Sequence, residues 1–551
     1  MNDKLFLIAI GGTGMRCLEA FVHLCAAGLF DNKTIEILTL DTDQTNGNKG
    51  RVEQLIELYN KVKTNDSSNI GGEARANTFF SAKLNLYRFY TDYSKPERKT
   101  LRGLSSTPGL TNEQRDDDQD LADLMFDPDS VQGFELDHGY RAQTHLGSML
   151  MYHGIVEAAL NSKRGTDKIT EAERDLKDFL KLLNDNASSA RVFVFGSVFG
   201  GTGASSIPVI PIALREAIRI ISGGNNVLNL SKVKFGSTLL TDYFTFDSPD
   251  NAQRNKEKVI ADAGNFAFNS QAALSFYNND STVKRSYKKL YHIGWPVGLK
   301  INYSEGKTGP VITGGNEQRN DCHLAELMCA TAAYDFFNTE SFPQQEAEYV
   351  YRTVEESAPG QLRLTGASFV GAQDGEYFEN KLGALLSLSH LLLGTYGGAF
   401  PNTCGTIGFL NDMNIRKIYS YESLTDEQAR EIDEYLKEFA YSVGPFGFRP
   451  GWLFQIFRSA KGGQFIFAPE AFNTDINQIQ NNDPGGIFLD GMHNWETKGL
   501  FGSTRNRRFD KFTDILKQAD SEPYEDQGQT VKELFLAHLY NAITSAQNFF
   551  N

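Results

Sequence analysis

Short runs rich in apolar residues, each about the length of one strand, divide the N-terminal half of the chain. The first run, residues 5–10, is apolar throughout, which is typical of a strand covered on both faces in a parallel sheet. Segments with apolar residues at helical spacing lie between the runs. This alternation predicts an α/β fold with parallel strands. The predicted strands are residues 5–10, 35–40, 192–195 and 234–240.

The same four residues, Gly-Gly-Thr-Gly, follow the first and the third of these strands. The two copies are Gly11-Gly12-Thr13-Gly14 and Gly200-Gly201-Thr202-Gly203. Glycines between a strand and a helix let the backbone turn tightly and point its N–H groups at an anion, which the positive end of the helix also attracts. We interpret each copy as a candidate phosphate loop. A turn that binds nothing is the alternative for either copy, and the first lacks the Gly-x-Gly-x-x-Gly order of a dinucleotide site.

Two carboxylates follow the predicted strand at residues 35–40. Asp41 and Asp43 lie at the carboxyl end of a parallel strand, where open α/β sheets bind their ligands. A carboxylate beside phosphates is repelled unless it acts through a cation or a sugar hydroxyl. We therefore expect contact with Mg²⁺ or with a ribose. The alternative is a solvated strand end.

The rest of the chain divides into parts of different character. Residues 44–138 are polar and irregular, and we interpret them as an insertion within a first domain of residues 1–280. Residues 281–500 mix strand and helix patterns and predict a second, α+β domain. Residues 501–551 are predicted to form a C-terminal helical tail.

Composition narrows the classes of function. The chain has 551 residues, with 69 acidic and 54 basic side chains and a formal net charge of -15. Nucleic acid and anionic lipid both attract basic surfaces, so neither is an expected partner. No apolar run reaches the roughly 18 residues of a membrane span, and the start of the chain has no basic leader of a signal peptide. The five cysteines have irregular spacing, which indicates reduced thiols and a cytoplasmic protein.

Several segments, in this order, resemble the nucleotide loops of the tubulin and FtsZ superfamily. They are residues 11–14, 41–43, 139–147 and 199–204. The nearest group is that of the divergent bacterial tubulin-like proteins. The resemblance implies a Rossmann-like GTPase domain, joined by a long central helix to an α+β second domain, with GTP or GDP and Mg²⁺ as cofactors. Phe199 and Ser205 depart from glycines of the family signature at the two edges of the last segment.

The resemblance also implies which residues bind the nucleotide. In the matching segments they are Gly11, Gly12, Thr13, Gly14, Met15, Arg16, Asp41, Asp43, Arg141, Ala142, Gln143, Phe199, Gly200, Gly201, Thr202, Gly203 and Ala204. Asp43 is the implied metal ligand. In the family, the central helix carries the base-binding residue. This helix is predicted here at residues 252–277, where Asn265 and Asn269 are the candidates and Asn265 is preferred.

Members of this superfamily associate head to tail, and an acidic residue of one subunit orients the water that attacks the γ-phosphate bound by the next. The matching segment here offers Asp321 and Glu326, without the Asn-x-Asp-x-x-Asp spacing of FtsZ. The expected function is a GTP-binding protein that forms filaments and hydrolyses GTP with the help of a neighbouring subunit. The alternative is a nucleotide-gated protein that does not polymerise and engages a protein partner through the insertion or the second domain. A small-molecule enzyme on the same fold is a third interpretation, against which the lack of a reactive Cys, a His triad or a metal cluster counts.

Overall fold

The computed structural model describes residues 3–64, 72–91, 120, 124, 144–163, 169–224, 229–248, 261–305, 315–318, 320–354, 356–358, 361–393, 426–444, 447–459, 464–465, 496–498, 504–506 and 531–550. The strands are β1 (Lys4–Ile10), β2 (Thr34–Asp41), β3 (Lys83–Tyr90), β4 (Ala190–Phe195), β5 (Lys234–Leu240), β6 (Phe244–Thr245), β7 (Lys289–Ile293), β8 (Ile301–Asn302), β9 (Glu348–Arg352), β10 (Glu356–Ala358), β11 (Gln361–Leu364), β12 (Tyr441–Gly444), β13 (Gly447–Pro450), β14 (Gln464–Phe465), β15 (Glu496–Lys498) and β16 (Thr504–Asn506). The helices are α1 (Gly11–Ala26), α2 (Gly47–Lys63), α3 (Thr144–Lys163), α4 (Glu171–Asp185), α5 (Thr202–Ser206), α6 (Ile210–Ile221), α7 (Phe266–Asn279), α8 (Ser281–Ser286), α9 (Leu324–Asn338), α10 (Ala367–Val370), α11 (Gly375–Leu393), α12 (Asp426–Phe439), α13 (Trp452–Ser459) and α14 (Val531–Phe550). Short 3₁₀ turns lie at Asn229–Lys232, Ala263–Asn265 and Val297–Leu299.

A seven-stranded sheet with only parallel pairings forms the centre of the molecule. Its order is β3-β2-β1-β4-β5-β7-β9. In β1, Ile8 lies opposite Leu38 of β2 on one side and Val194 of β4 on the other. The chain therefore adds strands on one side of β1 first and on the other side from β4 onward. Between β1 and β4, where the winding reverses, open α/β sheets leave a crevice for ligands.

Helices cover both faces of this sheet. Leu5 and Leu7 of β1 face a hydrophobic cluster with α1, α2 and α9, whereas Phe6 and Ile8 face a second cluster with α3, α4 and α6. Both faces are apolar, which explains why β1 reads as one continuous apolar run in the sequence. The predicted α/β class with a parallel sheet is confirmed, and the sheet with helices on both faces is consistent with a Rossmann-like domain.

The boundary that we predict at residue 280 lies inside this sheet. β7 and β9 follow residue 280, and they extend the sheet beyond β5. Of the helix predicted at 252–277, residues 266–277 lie in α7, and residues 261–265 are not α-helical. Residues 251–260 lie outside the described residues. α7 lies in the connection between β5 and its parallel neighbour β7, so it belongs to a crossover of the sheet.

The C-terminal helices form a further layer over α1, α2 and α9. α12 and α14 contact α2, α13 contacts α9, and α11 contacts α12 and α14. Their buried side chains, such as Trp452 and Leu539, belong to the same hydrophobic cluster as α1. In the described part of the chain, neither the predicted second domain nor the predicted tail therefore has a separate core. None of the described helices is long and apolar enough to cross a membrane.

Candidate functional site

The carboxyl ends of β1 and β4 bring the two Gly-Gly-Thr-Gly segments together. α1 begins at Gly11, directly after β1, and α5 begins at Thr202, shortly after β4. Gly11 has a φ of 66°, and a Cβ atom on it would lie 3.0 Å from the Cβ of Thr202. Glycine is the residue that tolerates both this left-handed conformation and this close approach. The starts of two helices thus meet at the switch point of the sheet.

The first segment is the first turn of α1 and not a separate loop, because Gly11 alone makes the turn from strand to helix. Neither α1 nor α5 has a side-chain hydrogen bond capping its start. The first N–H groups of a helix have no partner within it, so those of Gly12 and Thr13 remain for an anion. A Cβ atom on Gly14 would lie 2.6 Å from the carbonyl oxygen of Phe195, so this glycine lets α1 pack closely on β4.

Asp41 ends β2 and carries an unpaired buried oxygen. The residue is 2% exposed, and its Oδ1 accepts the N–H groups of Thr42 (2.8 Å) and Asp43 (3.3 Å). Its Oδ2 has no hydrogen-bond partner among the described residues. Burial and the negative charge of Asp43 raise the pKa of Asp41 to about 7. A buried carboxylate oxygen in this state fits a cation or a hydroxyl donor.

Asp43, the predicted metal ligand, has both carboxylate oxygens engaged. Its Oδ1 accepts the N–H and the hydroxyl of Thr45 (3.1 and 3.0 Å), and its Oδ2 accepts the N–H of Gly315 (2.7 Å). The described residues contain no group of three or more His, Cys, Asp or Glu side chains that could hold a metal ion. Of the two carboxylates, Asp41 is therefore the better placed to contact a cation, while Asp43 anchors the segment at Gly315.

Three amide side chains that the sequence does not single out surround Gly12. The side chain of Asn46 accepts the N–H of Asn48 (3.0 Å) at the start of α2 and donates to Oε1 of Gln318 (2.9 Å). A Cβ atom on Gly12 would lie 3.3 Å from Nδ2 of Asn46, 3.3 Å from Nδ2 of Asn48 and 3.4 Å from Oε1 of Gln318. Asn46 carries a sequence signal, since Asn is a preferred N-cap before a helix. Asn48 and Gln318 carry none, because only the fold brings them to Gly12.

Aromatic residues hold the second glycine segment against the core. Phe199 is 2% exposed, and its ring centroid lies 4.9 Å from that of Phe266 and 5.6 Å from that of Phe244. The Tyr277 hydroxyl donates to the carbonyl oxygen of Ala204. The side chain of Phe199 therefore packs in the core, and at this position the segment can offer a ligand only its backbone.

Asn269 contacts this segment, whereas the preferred candidate Asn265 does not. Nδ2 of Asn269 donates to the carbonyl oxygen of Phe199 (3.3 Å). Asn265 is exposed and immediately precedes α7. By position, Asn269 is thus the better candidate for a base contact.

Residues 141–143, which carry the predicted contacts Arg141, Ala142 and Gln143, lie outside the described residues. α3 begins directly after them, and its first turns touch α5. The hydroxyl of Ser148 donates to the carbonyl oxygen of Ser205 (2.7 Å). A third helix start therefore lies beside α5.

Arg16 and Glu326 bind each other in the interior. Glu326 is 0% and Arg16 4% exposed, with Nε to Oε1 at 2.5 Å and Nη2 to Oε2 at 3.0 Å. The hydroxyl of Tyr243 also donates to Glu326 (2.6 Å). Glu326 is thus enclosed by its own chain, and in this conformation its carboxylate is not presented to a neighbouring subunit, as its predicted catalytic role requires. Arg16 and Met15, which is also buried, can offer a ligand only their backbone.

Asp321 is exposed, but its segment is fixed to its own chain. The guanidinium of Arg16 donates to the carbonyl oxygens of Asn320 (2.6 Å) and Asp321. The hydroxyl of Tyr303 donates to the same backbone carbonyl oxygen of Asp321 (3.0 Å). Of the two predicted catalytic acids, only Asp321 therefore has a carboxylate that is accessible to another molecule.

The assembled site combines free N–H groups at two helix starts, an amide cluster and one unpaired buried carboxylate oxygen. Donors of the first two kinds pair with the oxygens of an anion such as phosphate, and the carboxylate pairs with a cation or a hydroxyl. Comparison with known proteins adds nothing to this picture: no protein-family model, no curated protein and no solved structure matches this chain.

Proposed function

We propose that this chain binds a nucleoside triphosphate between the carboxyl ends of β1 and β4, and that the nucleotide is GTP, as the resemblance to the tubulin and FtsZ superfamily implies. The observation that carries the proposal is the contact between Gly11 and Thr202, since it joins two helix starts without side-chain caps at the switch point of a parallel sheet. The phosphates would lie at the N–H groups of Gly12 and Thr13 and beside Thr202.

Mg²⁺ fits this proposal through Asp41. Its Oδ2 is a buried carboxylate oxygen without a hydrogen-bond partner among the described residues, and Mg²⁺ prefers carboxylate and phosphate oxygens as ligands. When bound, the ion would neutralise charge on the phosphates. Asp41 would hold the ion directly or through one of its waters, while Asp43 keeps the adjoining segment in place.

The proposed GTPase assembles head to tail, with Asp321 as the residue that a subunit presents to the nucleotide of the next. Support for this part is the exposed position of the Asp321 carboxylate and the fixed backbone beneath it. A heterologous contact of this kind gives filaments when it does not close.

The second candidate function is a nucleotide-gated protein that neither polymerises nor hydrolyses GTP appreciably. The burial of Glu326 favours it, because one of the two acids expected to complete hydrolysis is enclosed by Arg16 and Tyr243. The insertion or the C-terminal layer would then engage a protein partner.

Three measurements test these possibilities. Titration calorimetry with GTP, GDP and ATP in MgCl₂ tests binding, and the proposal fails if none of the three binds. Sedimentation with GTP against GDP tests assembly. A pellet with GTP alone supports the filament-forming GTPase, whereas binding without a pellet in either state supports the nucleotide-gated protein. Phosphate release from Asp321→Ala, compared with wild type, then tests the role of that carboxylate.

A further inference from the structure

The amide of Asn48 is buried beside the start of α1 without a hydrogen-bond partner. Asn48 is 4% exposed, its Oδ1 is fully enclosed, and its side chain makes no hydrogen bond to any described residue. Its Nδ2 lies 3.3 Å from the position of a Cβ on Gly12, so the amide is directed at the end of α1. The enclosed Oδ1 is an acceptor, which an anion cannot pair with, whereas Nδ2 is a donor without a hydrogen-bond partner among the described residues. The inference below therefore depends on Nδ2, which faces the start of α1.

Gln318 reaches the same point from a distant part of the sequence. Its Oε1 accepts Nδ2 of Asn46 (2.9 Å) and lies 3.4 Å from the position of a Cβ on Gly12. The accepted bond orients the amide, and its Nε2 donor has no hydrogen-bond partner among the described residues. Gln318 is only partly exposed, so its amide is held at the rim of the candidate site.

The segment that carries Gln318 is fastened on both sides to its own chain. Before it, Gly315 donates to Asp43 (2.7 Å) and accepts the N–H of Gly47 (2.9 Å). A Cβ atom on Gly47 would lie 2.5 Å from the carbonyl oxygen of Asn316, which shows how closely the segment packs on α2. After it, Arg16 donates to the carbonyl oxygens of Asn320 and Asp321. This is the segment that the resemblance assigns to the nucleotide of a neighbouring subunit.

We infer that Asn48 and Gln318 are binding residues of the proposed nucleotide site, and that each donates its amide N–H groups to a phosphate oxygen held by α1 of the same chain. The inference rests on the proposed function. Both amide side chains come from the same subunit as the phosphate-binding start of α1, so nucleotide binding does not require self-association. Amide donors suit phosphate because its oxygens only accept hydrogen bonds in the ionised state.

The test is a fluorescence titration of the full-length chain with N-methylanthraniloyl-GTP in MgCl₂. Asn48→Ala and Gln318→Ala should each weaken binding by about tenfold or more, which is the loss expected for a hydrogen bond to a charged group. The matched controls are Asn60→Ala on the same helix and Asn316→Ala on the same segment. Asn60 is 5% exposed but donates to the carbonyl oxygen of Leu84 (3.1 Å), away from α1.

Measuring the free energy of unfolding of each variant distinguishes a loss of binding from a loss of folding. Asn48→Ala removes no side-chain hydrogen bond to a described residue, so it should lose binding while its free energy of unfolding stays close to that of the wild type. Asn60→Ala should do the opposite, losing stability and keeping affinity. A second variant, Gln318→Glu, replaces the amide by a carboxylate of the same length and should weaken binding further than Gln318→Ala.

The outcomes distinguish this inference from the proposed function. If the wild type binds the probe and both alanine variants bind it as well as Asn316→Ala does, the binding role of Asn48 and Gln318 is refuted and the proposed nucleotide site stands. If affinity rises with protein concentration, the contribution within one chain is refuted. If the wild type itself does not bind, both proposals fail.

Discussion

Arg16 and Glu326 form an ion pair in the interior, between the start of α1 and the start of α9, with Nε and Oε1 2.5 Å apart. Their side chains are 5% and 0% exposed. Burial raises the pKa of Glu326, while Arg16, the hydroxyl of Tyr243 and the N–H of His323 act against that rise. The pair thus joins the candidate phosphate site to the helix that follows residues 315–321.

Glu326→Gln should destabilise the fold strongly. The substitution leaves the Arg16 charge buried without its counter-ion, which typically costs about 3–5 kcal/mol of the free energy of unfolding. Urea denaturation followed by circular dichroism measures this loss. The control is Glu216→Gln, which removes the partner of the half-exposed Arg219 and should cost far less. Equal losses in the two variants would contradict the enclosed position of Glu326.

Substitution of three glycines by alanine should have different effects on nucleotide binding and on stability. Gly12→Ala places its Cβ at 3.3–3.4 Å from the surrounding amide atoms, so it should obstruct nucleotide binding while the fold is retained. Gly14→Ala places its Cβ 2.6 Å from the carbonyl oxygen of Phe195 and should destabilise the chain by about 1–3 kcal/mol. Gly50→Ala on α2 meets nothing within 4 Å and should stabilise it by about 0.5–1 kcal/mol.

Thermal melting and nucleotide titration of these three variants provide the measurements. The prediction for Gly12 is contradicted if Gly12→Ala loses stability as Gly14→Ala does, or if it binds nucleotide as well as Gly50→Ala does.

The sequence predicts the parts of this site that local patterns determine. The apolar run of β1, the glycines at the start of α1 and the aspartates after β2 are each visible within a few residues, since strand burial, turn chemistry and strand ends follow short-range rules. The one-residue turn at Gly11 is not visible, because it depends on the approach of Thr202 from a distant segment. The parallel sheet was therefore predictable, and the point where α1 begins was not.

The features that the sequence does not predict depend on contacts between residues far apart in the chain. Glu326 looks like an accessible acid in the sequence, but Arg16, 310 positions away, encloses it. Asn48 lies in a polar stretch with no motif, and its isolation beside Gly12 depends on how α1 and α2 pack. The same limit applies to the predicted second domain, since a hydrophobic pattern shows that α12 and α13 bury a face but not that this face packs on α2 and α9.

Asp41 should make the fold less stable as the pH rises. Its folded-state pKa of about 7 lies above the ordinary pKa of an aspartate, 3.8, so between these pH values the native state binds a proton that the unfolded chain does not. The stability that this proton contributes is fully present below about pH 4 and is lost as the pH rises through about 7, which amounts to roughly 4 kcal/mol at 1.36 kcal/mol per pH unit.

Asp41→Asn should remove this dependence, so that the variant gains stability relative to wild type from pH 5 to pH 8. Urea denaturation at both pH values measures the change, with exposed Asp247→Asn as the control that keeps the wild-type slope. Mg²⁺ that contacts Oδ2 should lower the pKa of Asp41 and release a proton on binding near pH 6. Calorimetry in buffers of different ionisation enthalpy detects that proton, and its absence would argue against contact with Asp41.

Titration of His23 should make the fold less stable as the pH falls, which is the opposite of the effect of Asp41. Its imidazole is 0% exposed between α1 and the C-terminal layer, 3.1 Å from the hydroxyl of Tyr435 and with its ring centroid 4.8 Å from the ring centroid of Trp452. Burial, and then the charge of Arg51, lower the pKa of His23 well below its usual value. The unfolded chain therefore binds a proton near pH 6.5 that the native state excludes, and the free energy of unfolding falls as the pH drops below about 6.5.

His23→Phe keeps an aromatic ring in place and removes the titration, so its stability should fall less than that of the wild type between pH 7 and pH 5. Tyr435→Phe is the matched control, because it deletes the hydrogen bond to His23 but leaves the imidazole able to titrate and should keep the wild-type acid sensitivity. Since Asp41 stabilises and His23 destabilises the native state on acidification, Asp41→Asn should steepen the acid loss that His23→Phe reduces. If both substitutions changed the wild-type slope in the same direction, one of these side chains would not be buried as described.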